Sequence, residues 1–181
     1  MDPIAHASIG LMAKPIAPKA HLLVLVAATQ VPDLLFFAFE AAGIEHLAVT
    51  KMDFRRGLTY LHPAWIPWSH GLTTCLAWSA VAGAIATWGY RDRRTGAVVG
   101  SLVFSHWVLD AIAYNNLPVA LDDSPEVGLG LVTTGAGVIA GILVEAALIT
   151  GGITISLLNK RRATPRAGEV TRQVRRNLRH E

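Results

Sequence analysis

The chain has 181 residues, 52% of them hydrophobic and only 16% charged, with a formal net charge of +3. That length suits one ordinary domain, but soluble domains carry about 25% charged residues, so the composition argues against a water-bathed globule and for a membrane protein. The basicity is local: residues 159–181 hold eight Lys/Arg and two Glu, whereas the rest holds eight bases against eleven acids.

In chain order, PIAHASIGLMA comes first. It is too short to span a bilayer and has neither the basic flank nor the cleavage site of a secretory signal, so it reads as a half-membrane or interfacial helix. Four longer apolar segments follow at 20–40, 69–89, 95–115 and 131–158, each matching the ~20 residues that a bilayer core requires. The expected fold class is therefore all-α, an integral membrane protein of about four transmembrane helices. Its domains are a membrane-embedded body, 1–158, and a basic cytoplasmic tail, 159–181. Within the last segment Gly137 and Gly141 have the spacing of a close helix-packing face. The lone Cys75 excludes an intramolecular disulfide and reads as a small core residue.

Lys14 and Lys19, then Arg91, Arg93 and Arg94, then the tail mark cytoplasmic ends, while the acidic 116–127 loop falls outside. Both termini are then cytoplasmic, although Lys51, Arg55 and Arg56 fit less well. YLHPAWIPW reads as an outer aromatic belt. The tail is a solvated positive-inside segment or a basic helix lying on anionic lipid. Nucleic acid is not expected as a partner, because no aromatic interleaving accompanies the charge.

The ionisable residues in or beside these segments are His6, Asp33, His70, His106, Asp110 and Glu145. Each is costly in lipid and needs a partner. Counting ~1.5 Å of helix rise from each cytoplasmic end puts His6 at ~12 Å, His106 at ~16 Å, Asp33 at ~20 Å, Glu145 at ~21 Å and Asp110 at ~22 Å, with His70 nearer the outer surface. Five of the six share one layer. His106 and Asp110, four apart, stack on one helical face. An imidazole and a carboxylate so presented suit a borderline divalent metal, zinc first, with further ligands from other helices. Simpler roles exist for each. Pro32-Asp33 makes a kink whose freed carbonyls are met locally, Glu145 is a protonated acid bonding a backbone, and His70 caps segment two beside an N-cap Ser69.

The order AHASIG, QVPDLLF, PWSHGL, SHWVLDAI and VGLGL resembles the YdjM-like group of bacterial inner-membrane proteins described as metal-dependent hydrolases. The resemblance covers most of residues 1–150. It implies that His6, Asp33, His70, His106 and Asp110 form the metal site. Tyr114 stands where relatives often have a histidine, and Val132 where a Trp is common.

The expectation is thus a multi-pass protein of the bacterial inner membrane that holds one or two divalent ions and performs metal-assisted hydrolysis, with Glu145 as the base. Its substrate would be an amphipathic or lipid-like ester or phosphoester drawn from the membrane lipids. The alternative is a small transporter or proton-conducting protein using the same His/Asp/Glu cluster, against which the lack of an internal repeat argues. A scaffold acting through its basic tail is a third.

Overall fold

The computed structural model describes residues 3–49, 61–121 and 124–163. Lys51, Arg55, Arg56, Asp122 and the chain from 164 onward lie outside them, as do the side chains of 47–49, 61–64 and 162–163. The described chain is mostly helical. Its order is α1 (Pro3–Met12), α2 (Leu22–Ala28), α3 (Val31–Ala41), β1 (His46–Val49), β2 (Leu61–Trp65), α4 (Pro67–His70), α5 (Leu72–Tyr90), α6 (Arg93–Ala113), β3 (Leu117–Pro118), β4 (Glu126–Val127) and α7 (Gly135–Ala163). A single 3-10 turn, Leu131–Thr133, precedes α7. Three helices, α5, α6 and α7, are long and apolar enough to cross a bilayer, and α2 with α3, bent by 58°, would make a fourth crossing.

Two elements depart from the expected all-helical layout. β1 and β2 pair antiparallel, as do β3 and β4. Both hairpins are built in connections between helices, where pairing satisfies backbone groups that no helix serves. The aromatic stretch YLHPAWIPW accordingly divides between β2 and α4, leaving Trp65 and Trp68 partly exposed.

Two expected segments are broken. The first breaks at Thr29–Gln30, ahead of Pro32, because proline suits the first turn of a helix and not its interior. The second breaks at Gly71, whose extended backbone (φ −68°, ψ 143°) splits α4 from α5. A side chain at Gly71 would also press on the Pro67 carbonyl. Gly71, not Ser69, is therefore the N-cap of α5. The fourth segment starts with the 3-10 turn and runs to Ala163, past the expected end at 158.

The core is made of small residues. Ala13, Ala17, Ala20, Ala28 and Ala86 pack with Leu25, Val99, Leu102 and Val103. The closest helix approach joins α5 to α6. A Cβ on Gly96 would lie 2.6 Å from the Gly83 carbonyl, and one on Gly100 would lie 2.8 Å from the Ser79 carbonyl. Glycine at these positions lets the two backbones touch. The Gly137/Gly141 face expected to do this meets Leu131, Val132 and Thr134 instead, its own entry turn. On α7 the close contact falls at Gly151 and Gly152, against Met12 and Ser8 of α1.

Burial is inverted relative to a water-soluble protein. His6, Thr29, Glu45, Ser69, His70, His106 and Asp110 are buried, while Leu34, Phe37, Ile85, Trp88, Ile139 and Leu143 are exposed. A polar cluster is thus enclosed beside the small aliphatic core, while many large apolar side chains stay on the outside.

At one end the short α5–α6 link is held by Asp92, the N-cap of α6. Its carboxylate accepts from the Thr95 amide (3.0 Å) and hydroxyl (2.6 Å), and from Lys19 Nζ (3.0 Å). The Thr95 bonds, with Lys19 beside them, hold the carboxyl down from 3.8 to about 2. A depressed folded pKa contributes stability that is complete above the unfolded value and lost as pH falls through the folded one. The melting-temperature deficit of Asp92→Ala in detergent should therefore stay constant down to pH 3.8 and close toward pH 2. A gap that persists at the acid end would show that the charge is not what the cap contributes.

Candidate metal centre

The break after α2 exposes a backbone acceptor. In a continuous helix the Thr29 carbonyl would bond four residues ahead, but the turn there frees it. It receives His106 from α6 at an Nδ1–O distance of 2.8 Å. A carbonyl can only accept, so Nδ1 carries a proton and Nε2 is the ring nitrogen left to meet the rest of the site. The Thr29 carbonyl is thus met by a side chain 77 residues distant, whereas those of Val26 and Ala27 are met locally, as expected, by the Thr29 hydroxyl and the Gln30 amide.

Around that Nε2 stand two carboxylates, Asp110 Oδ2 at 3.2 Å and Asp33 Oδ1 at 3.5 Å. Asp110 lies one turn further along α6, and Asp33 lies in the first turn of α3, where free amides favour an anion. His70 Nε2 is 3.5 Å from Asp33 Oδ1 and 3.8 Å from Asp110 Oδ2. His70 reaches this layer because Gly71 turns α4 into a separate turn; on a straight segment it would sit higher. Its Nδ1 is 2.8 Å from Ser69 Oγ. His6, from α1, brings Nε2 to 3.4 Å from Asp110 Oδ1.

Five of the residues expected to form a site, His6, Asp33, His70, His106 and Asp110, are therefore brought together. They compose two overlapping donor groups, His6/His106/Asp110 and Asp33/His70/His106. The four nitrogen–oxygen separations that link His70 and His106 to Asp33 and Asp110, 3.2 to 3.8 Å, are of the size found between neighbouring ligands of one ion, about 3.3 Å for bonds of about 2.0–2.1 Å. The donor set therefore fits a divalent ion. His106 Nε2 and both ring nitrogens of His6 are buried yet make no hydrogen bond. A lone pair facing carboxylate oxygens is an acceptor facing acceptors, and only a proton or a cation between them relieves it.

Glu145, on α7, is half-buried and belongs to neither donor group. Tyr114 closes the end of α6, and its carbonyl accepts from the Gly130 amide. His21 lies at the opposite end beside Tyr90, its amide bonding the phenol oxygen.

Glu45 was not singled out from the sequence. It is fully buried, and its Oε1 accepts from the amides of Trp68 (2.8 Å) and Ser69 (2.9 Å). These are first-turn amides of α4, whose N-cap Ile66 offers no side-chain acceptor. Such a turn, opened by Pro67 after an apolar residue, needs an acceptor from elsewhere. That signal shows a cap is missing without showing which residue supplies it.

No family model, no curated protein and no solved structure matches the chain.

Replacing Glu45 by Ala would strand two amides at about 1–3 kcal/mol each and release the turn that holds His70. Glu45→Gln keeps one acceptor oxygen and should recover most of the loss. Thermal unfolding of both variants checks this, and equal melting temperatures for Ala and Gln would mean that capping is not what Glu45 contributes.

Proposed function

We propose that this chain is a multi-pass protein of the bacterial inner membrane, related to the YdjM-like hydrolases, that uses a buried divalent ion, zinc first, to hydrolyse an amphipathic or lipid-like ester or phosphoester. The observation that carries the proposal is the donor geometry: nitrogen and carboxylate oxygen atoms from α3, α4 and α6 converge at coordination spacing around a lone pair with no hydrogen-bond partner. The membrane assignment is supported by the many exposed large apolar side chains, which enclose a buried polar cluster, and by helices long enough to span.

When bound, the ion would supply Lewis acidity and a water of lowered pKa. The rest is done by the chain. The Thr29 carbonyl sets the tautomer of His106, as outer-shell acceptors do for metal-binding imidazoles. Ser69 Oγ holds Nδ1 of His70, and Glu45 holds the turn that carries both. Asp33 and Asp110 supply the negative charge that a divalent ion needs in a dry site. Glu145, half-buried on α7 and outside the donor set, is assigned the proton-accepting role. Trp65 and Trp68, exposed beside α4, form a rim suited to lipid headgroups.

The orientation has both termini cytoplasmic. Reporters after Glu181 and near Asp92 should give a cytoplasmic signal, and one near Asp122 an external signal; opposite sides for the first two would rule out four crossings.

The ion itself is tested by Asp110→Asn, nearly isosteric but neutral. With no metal, the imidazoles of His6, His70 and His106 already partner Asp110, so loss of its charge should destabilise the protein and chelator should change nothing. With a metal, the substitution should weaken binding and destabilise. Chelator should then lower the wild-type melting temperature and barely move that of the variant, since a ligand specific to the folded state stabilises by mass action. Wild type and variant that both ignore chelator would make His106 and Asp110 a structural pair and end the hydrolase proposal.

A further inference from the structure

We infer that the cluster is built for two cations, with Asp110 shared between them and His6 serving the second; this rests on the metal-binding proposal above.

An ion on an imidazole lies in the plane of the ring, along the nitrogen lone pair, at about 2.0–2.1 Å. The rings of His6 and His106 are stacked, with centroids 3.9 Å apart and planes only 13° from parallel. Planes so arranged do not meet within a bond length of both nitrogens, so one ion cannot take both rings. His70 and His106 differ. Their planes cross at 64° with centroids 5.3 Å apart, so their Nε2 lone pairs can converge beside Asp33 Oδ1 and Asp110 Oδ2.

Asp110 is divided in the same way. Its Oδ2 faces His106 and His70, whereas its Oδ1 faces His6 at 3.4 Å. A carboxylate whose two oxygens address separate imidazoles is arranged as a bridge, the recurrent ligand of paired-metal sites. His6 supplies the third observation. It is 1% exposed, and neither ring nitrogen makes a hydrogen bond. A buried imidazole held only to orient Asp110 would be expected to donate to it in hydrogen-bonding geometry.

The second position has two protein donors among the described residues, His6 Nε2 and Asp110 Oδ1. Sites with so few side-chain ligands fill the remainder with water and with oxygens of a phosphorylated substrate. The first position, with His70, His106 and Asp33 grouped within ligand reach and Asp110 Oδ2 beside the two imidazoles, binds tightly, and the second binds weakly. Of the substrates proposed above, this arrangement favours the phosphoester, whose oxygens can lie on both ions.

The test is equilibrium dialysis of full-length protein in detergent against buffered zinc, with bound metal measured by mass spectrometry, repeated with manganese and read by electron paramagnetic resonance. Wild type should take two ions in two affinity classes and show an exchange-coupled manganese pair. His6→Ala and His6→Gln should lose the weaker ion and the coupling while keeping the tight ion. Saturation of wild type at one ion would overturn the inference and leave His6 as a residue that positions Asp110. Two ions retained in both His6 variants would overturn the assignment of His6. No bound metal in wild type would instead remove the metal proposal itself. The wild-type stoichiometry decides between one ion and two even if neither variant folds.

Discussion

The hydrogen bond between His106 and the Thr29 carbonyl organises the rest of the structure. It exists only because α2 stops before α3 begins, so a break that looks like a defect supplies the acceptor that fixes the imidazole. Once Nδ1 holds the proton, Nε2 must face the carboxylates, and the chemistry of the cluster follows from that single orientation. The same break places Asp33 in a first helical turn, where unpaired amides help to hold a negative charge. One backbone feature thus orients a donor and supports an acid.

Interruption recurs as the means of building the site. Gly71 separates α4 from α5, and the resulting turn delivers His70 at a depth that a straight helix would not allow. α1 is short by construction and ends within the body, bringing His6 alongside α6. Non-helical backbone at such depth is tolerated where it lines a polar interior. The small residues on α5 and α6 then let the two helices close tightly against each other beside the aliphatic core.

Much of this was legible from the residues. The four-residue spacing of His106 and Asp110 identifies one helical face, and the shared depth of His6 and Asp33 places them near it. What could not be read was backbone behaviour. Nothing in HASIG or SHWVLD reports that two rings will stack, and nothing in ATQVPD reports that Thr29, not the residues beside Pro32, yields its carbonyl. His70 was placed too high because a glycine inside an apolar run does not announce a break. Glu45 was missed because its role is to cap a turn 23 and 24 residues away, a relation without local pattern. The Gly137/Gly141 spacing was visible but uninformative, since the motif does not say which surface it will meet; the tight seam formed at Gly83, Gly96 and Gly100.

α7 contributes no atom to either donor group, yet it bears on the helix that carries His6. Its Gly152 rests against Ser8, where any added carbon would come within 3.1 Å of backbone atoms of α1. Ser8 is two residues from His6, and α1 is too short to bend away the strain. A methyl group at position 152 would therefore be felt as a displaced imidazole. The protein's tolerance of sequence drift is set along this contact: the outward face of α7 can change freely among apolar residues, while one glycine on its inward face is as constrained as any of the donors it never touches.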